Sequence, residues 1–134
     1  MKEVIDFLTK SQVFYLATAG LDGKPKVRPF GLVIEEDGKI YFCTSNKKNV
    51  YKEMKKQPWV EISACGENFS WVRLSGRAVF SNNLAIKSKV LDLSPFVKSI
   101  YKTPDNPIFE IFYLDEASAT FYDFSGKTPK TVKL

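Results

Sequence analysis

Between residues 13 and 44 the chain alternates β-forming apolar runs with compact turn signals, and this succession constrains the fold more than any other feature. Val13-Phe14-Tyr15-Leu16-Ala17-Thr18-Ala19 is rich in aromatic and β-branched residues. Gly20-Leu21-Asp22-Gly23-Lys24-Pro25 reads as a turn, and Val27 to Ile34 as the returning strand. Glu35-Glu36-Asp37-Gly38-Lys39 carries the Asp-Gly pair that suits a tight hairpin, and Ile40 to Thr44 follows as a third strand. Three strands joined by hairpin turns predict an antiparallel meander, in which Val27–Ile34 pairs with both neighbours, and argue against a βαβ unit.

The remaining pattern adds strands and peripheral helices. Val4, Ile5 and Leu8 at helical spacing predict a short amphipathic helix over 2–10. A second helix is expected over 46–57, capped by Ser45 or Asn46, with Val50, Tyr51 and Met54 on its apolar face and Pro58 after its end. Trp59–Cys65 and Val72–Phe80 read as strands around a turn at Gly66-Glu67-Asn68. Asn82 or Asn83 caps a helix through Leu84, Val90 and Leu93, and Pro95 interrupts it before a short helix bearing Phe96, Val97, Ile100 and Tyr101. Residues 102–107 form a loop, and Ile108–Leu114 and Ala117–Phe124 are two last strands. Seven short strands with peripheral helices predict a mainly β chain, a small antiparallel barrel in one domain spanning 1–134.

Composition removes several chemistries. With no histidine, Ser-His-Asp and Cys-His nucleophilic sites and His-ligated zinc are excluded, and no metal site is expected. No apolar run reaches the ~18–20 residues of a spanning helix, and Met1-Lys2-Glu3-Val4-Ile5-Asp6 lacks the apolar core of a secretory signal. The expected compartment is the cytoplasm, with Cys43 and Cys65 as free thiols. The formal charge of +5 is local: residues 47–56 hold five lysines against one glutamate.

That basic stretch is the candidate site. Phe42-Cys43-Thr44-Ser45-Asn46-Lys47-Lys48-Asn49-Val50-Tyr51 passes from a strand into a helix start, where unpaired amides and the helix dipole favour an anion. Lys47 and Lys48 oppose that dipole, a conflict that a bound phosphate removes. Arg28-Pro29-Phe30 lies on the neighbouring strand; Pro29 marks an edge or irregularity, and Arg28 suits bidentate phosphate contact. A solvated lysine face with an ordinary Ser-Asn cap is the competing reading of these residues.

These motifs, in order, resemble the pyridoxamine 5′-phosphate oxidase-like FMN-binding split barrels, and most closely the small nitroimidazole reductase-like members. The resemblance rests on the opening helix, Phe14-Tyr15-Leu16-Ala17-Thr18, Asp22-Gly23-Lys24-Pro25, Arg28-Pro29-Phe30, Tyr41-Phe42-Cys43-Thr44-Ser45, the basic helix, and Val72-Arg73-Leu74-Ser75-Gly76-Arg77-Ala78. It implies a six-stranded antiparallel split barrel and a homodimer with FMN at its interface. It places Arg28, Pro29 and Phe30 along the flavin, and Cys43, Thr44 and Ser45 against the flavin or its phosphate. It sets Lys47 or Lys48 to neutralise the phosphate, with Asn49 beside them in the cofactor site, and Trp71 where the oxidase carries a flavin-contacting glutamine. Val33 stands where the oxidase has a lysine, and its substrate-binding histidine has no counterpart, so pyridoxamine phosphate is not the expected substrate.

The function so implied is electron transfer from reduced flavin to a small molecule, with NAD(P)H as a candidate reductant and no side chain assigned as catalytic. Two other readings stay open. One is a flavin carrier or sensor without turnover. The other is a small barrel that binds single-stranded nucleic acid through Phe69, Trp71, Arg73 and Arg77, for which charge gathered in one helix makes a narrow track.

Overall fold

The computed structural model describes residues 1–134. Its elements in chain order are α1 (Lys2–Ser11), β1 (Phe14–Ala19), β2 (Pro25–Phe30), β3 (Ile34–Glu36), β4 (Lys39–Ser45), α2 (Asn49–Lys56), β5 (Trp59–Cys65), β6 (Trp71–Ser81), α3 (Leu84–Leu93), α4 (Pro95–Tyr101), β7 (Phe109–Tyr122) and β8 (Lys130–Lys133). All strand pairs are antiparallel, in the order β2-β1-β5-β6-β7-β4-β3, with β8 added on β7. Short β3 and β8 therefore flank a six-stranded path from β2 to β4.

The sheet curls so that its two ends meet without hydrogen bonding. Phe14 of β1 packs edge-on against Phe42 of β4, with ring centroids 5.7 Å apart, and Phe30 of β2 against Phe112 of β7 at 6.1 Å. These rings belong to the main core or pack against it; Ile62, Val72 and Leu74 extend that core, and Val4 and Leu8 of α1 and Val50 and Met54 of α2 cover it. A second cluster on the opposite face of β4 joins Tyr41 to Ile86 and Val90 of α3, Tyr101 of α4, and Phe109 and Ile111 of β7. Strand β4 is thus buried on both faces, as its uninterrupted apolar run requires.

Several expectations need correction. Val27–Ile34 is not one strand: it divides into β2 and β3, which lie at opposite ends of the sheet, with Gly31-Leu32-Val33 crossing between them. Strand β2 pairs with β1 alone and not with β4, so the meander is broken. Pro29, which has no amide hydrogen to donate, sits comfortably on this edge strand. The hairpin signal itself holds: Asp37 and Gly38 take φ of 52° and 72° between β3 and β4, both in the left-handed region that such two-residue turns need.

The two final expected strands are one continuous β7. Asp115 and Glu116, which read as a break, form a bulge, with the register shifting between Ser75 and Arg77 of β6 and Glu116 at φ 49°. Gly76 faces this bulge, where an added Cβ would stand 3.0 Å from Leu114 Cβ and 3.1 Å from Asp115 O. Strand β8 was not expected, because Lys-Thr-Val-Lys has no apolar run; it is held by β7 and by a Lys130–Glu3 ion pair at 2.9 Å. Helix α2 begins at Asn49, not at 46, and neither Ser45 nor Asn46 caps it. The Ser45 hydroxyl instead accepts from the Lys47 amide, and Asn46 Nδ2 donates to Pro107 O and to Glu110. Asn83 and Ser94 do cap α3 and α4, accepting from the amides of Ile86 and Val97.

Candidate functional site

Where the sheet fails to close, a cleft of about 340 Å³ opens between the end of β2 and the end of β4. Pro29, Phe30, Gly31 and Leu32 form one wall, Cys43, Thr44 and Lys48 the opposite one, and α4 covers a third side. The volume lies near the lower end of the ~300–1,000 Å³ range of ligand sites.

Residue alternation on β4 decides what the cleft presents. Thr44 follows Ile40 and Phe42 on the inward face and is 3% exposed, yet its Oγ1 has no hydrogen-bond partner, alone among the buried side-chain oxygens and nitrogens. A buried hydroxyl left unpaired carries a desolvation cost of about 1–3 kcal/mol. A buried polar group without a partner calls for an explanation, and Thr44 is one of the residues that line the cleft. Cys43, on the other face of β4, has its thiol pushed up to about 11 by burial, with the Lys48 ammonium opposing the shift. It is neither a thiolate nucleophile nor a base at neutral pH. The Tyr101 hydroxyl is also raised, first by burial and then by Cys43, against a hydrogen bond to Ser45. Neither Cys43 nor Tyr101 is therefore poised as an acid or base.

The expected residues distribute unevenly. Pro29, Phe30, Cys43, Thr44 and Lys48 line the cleft together. Ser45 is buried beside it, and Lys47 and Asn49 are exposed at its border without lining it. The Arg28 guanidinium turns inward: Nη1 donates to Thr18 Oγ1 at 2.7 Å and to Leu16 O at 3.2 Å, while Nη2 meets Glu53 Oε1 at 2.6 Å. Trp71 lies outside the cleft, stacked on Tyr122 with ring centroids 4.9 Å apart. It starts β6, whereas Ser81 at the far end of β6 pairs with Ile111, which in turn pairs with Cys43. Ten residues of strand, about 30 Å, separate Trp71 from that end.

Sequence reasoning missed the wall made by α4. Phe96 and Ile100 remain 74% and 49% exposed there, and Val97 and Tyr101 complete that side. The available signal was a Pro-initiated short helix with more apolar residues than one buried face can use.

The family model described as pyridoxamine 5′-phosphate oxidase matches residues 1–121. A crystal structure of a NimC/NimA family protein from Clostridium acetobutylicum is 36% identical, covering 100% of this chain and 93% of that one, with a TM-score of 0.91. A pyridoxamine 5′-phosphate oxidase-related, FMN binding protein from Nostoc punctiforme shares the fold at 14% identity and a TM-score of 0.67, covering 99% of this chain and 96% of that one. A heme binding protein from Mycobacterium smegmatis does so at 18% identity and a TM-score of 0.73, over 95% of this chain and 55% of that one. No curated protein matches the chain.

Proposed function

The chain belongs to the pyridoxamine 5′-phosphate oxidase-like split-barrel family, and from that premise we propose that it is an FMN-binding flavoprotein that passes electrons to a small molecule. The observation that carries this reading is that Thr44, whose buried hydroxyl has no partner within the chain, lines the same cleft as Lys48. A flat group with a phosphate tail fits such a donor set: Phe30, Leu32 and Val97 offer apolar contact, Thr44 a hydroxyl, and Lys48 a positive charge. Haem fits it less well, since the chain has no imidazole to ligate iron and the Cys43 thiol is held protonated.

When bound, the isoalloxazine supplies two-electron chemistry that no side chain here can perform. The chain's own residues bind and orient. Thr44 pairs its hydroxyl with the ligand, Lys48 balances the phosphate, and the apolar walls keep water from the ring. Arg28 acts through its cluster with Thr18 and Glu53, which fixes the β2 wall against α2. Trp71 reaches a flavin only in a second copy of the chain, so the reading includes a homodimer. The two free cysteines suit a reducing cytoplasm.

The experiment is to purify the protein and record its absorbance spectrum before and after denaturation. A yellow protein releasing FMN supports the reading. A colourless protein that takes up no added FMN overturns it.

A further inference from the structure

We propose that Phe96 and Ile100 of α4 form the contact surface for the electron acceptor, an uncharged molecule with a flat apolar face. This rests on the flavin reading above and names the class of substrate that the same cleft takes.

Helix α4 carries two apolar stripes where one would hold it in place. Val97 and Tyr101, four residues apart, share one stripe and pack into the second core cluster with Ile86, Val90 and Phe109. Phe96 and Ile100, also four apart, form the neighbouring stripe. They join neither core cluster and stay exposed, yet both line the cleft. The stripe that borders the cleft is thus the one that folding does not bury. A ring and a branched aliphatic chain side by side suit a flat apolar group.

Charge narrows the class further. Among the residues that line the cleft, only Lys48 is charged at neutral pH, because burial keeps the Cys43 thiol and the Tyr101 hydroxyl protonated. With Lys48 set against the flavin phosphate, the lining holds no second cation for a carboxylate or phosphate and no carboxylate for an amine. Lys98, the one charged residue of α4, is exposed and lies outside the lining. An ionic acceptor would be desolvated there without a partner. An uncharged one avoids that cost and takes up the two electrons and two protons that a fully reduced flavin releases.

The test pairs naphthamide with naphthoate, which share one ring system and differ in charge. Each is titrated by equilibrium dialysis into the oxidised, FMN-saturated protein, for the wild type and for F96A/I100A. Both side chains lie outside the core, so the variant is expected to fold, which a thermal melt checks. Naphthamide should bind the wild type at least about tenfold tighter than naphthoate. F96A/I100A should weaken naphthamide by about tenfold, through lost apolar contact, and lower FMN affinity far less. Naphthamide should also compete with duroquinone, an uncharged acceptor, in anaerobic reoxidation of the reduced protein. Equal binding of the two probes, unchanged naphthamide binding in the variant, or inhibition that is not competitive overturns the proposal while FMN binding stands. So does a variant that loses FMN as strongly as naphthamide, which would give both side chains to the flavin. Failure of FMN to bind the wild type overturns the reading beneath it.

Discussion

Arg28 Nη2 stands 2.6 Å from Glu53 Oε1, and Thr18 Oγ1 bridges the pair, 2.7 Å from the guanidinium and 2.8 Å from the carboxylate. Three elements, β1, β2 and α2, are tied at this point, and β2 and the Lys48 N-cap of α2 line the cleft. Removing one partner of such a buried pair leaves the other charge uncompensated. Glu53→Leu is expected to cost about 3 kcal/mol, since Arg28 keeps some solvent contact. Adding Arg28→Met should recover much of that loss. Urea unfolding of the two single variants and the double variant measures the coupling, and strictly additive effects would show that the cluster is not a unit.

Thr44→Val separates stability from binding. The substitution removes a hydroxyl that pays for burial without a partner, so the free protein should be as stable as the wild type or about 1 kcal/mol more so. FMN affinity should fall by about five- to tenfold, the worth of one hydrogen bond. Thermal melts and FMN titrations on the same preparations check both halves. A destabilised protein with normal FMN binding would mean that Thr44 serves the core instead.

The two cysteines should differ in reactivity. Cys65 is exposed, whereas burial holds the Cys43 thiol protonated with a pKa near 11. Iodoacetamide at neutral pH should label Cys65 and spare Cys43, as peptide mass analysis would reveal. Rapid labelling of both would contradict the raised pKa of Cys43.

The same burial makes stability depend on alkaline pH. The folded pKa of Cys43 lies above its ordinary value of 9.0, so its contribution is complete below pH 9 and is lost as pH rises through 11. Two pKa units correspond to about 3 kcal/mol. Tyr101 and Tyr41 are raised by burial too and add to the decline in the same direction. Unfolding free energies at pH 8 to 11 should fall less steeply in Cys43→Ala than in the wild type. Identical slopes would remove Cys43 from the account.

Local chemistry was legible in the sequence, and long-range pairing was not. Asp37-Gly38 announced its turn because the φ angles it needs suit those residues, and Asn83 and Pro95 marked helix starts by the same local logic. The mainly β class followed from β-forming runs bounded by turn signals, such as Trp59–Cys65, whose burial alternates along the strand. The separation of β2 from β4 could not be read, because pairing depends on how the whole sheet curls, and Gly31 to Val33 look like strand residues in isolation. Asp115-Glu116 looked like a break between two strands because a bulge interrupts the apolar run with polar residues. In the site, Thr44 and Lys48 were found as hydroxyl and cation near a strand end. The burial of Glu53 was hidden, since a glutamate among five lysines reads as solvent-facing until Arg28 is seen opposite it. The α4 wall was missed because Phe96 and Ile100 lie more than fifty residues from the strand they face.

The central claim is that the seam between β2 and β4 holds a flavin by its phosphate and by Thr44. Titrating wild type, Lys48→Ala and Thr44→Val with FMN and with riboflavin, followed by flavin fluorescence, tests it most directly. The account predicts binding of both flavins to the wild type, loss for FMN well beyond that for riboflavin in Lys48→Ala, and similar losses for both in Thr44→Val. Wild-type affinity for FMN in both variants would contradict it.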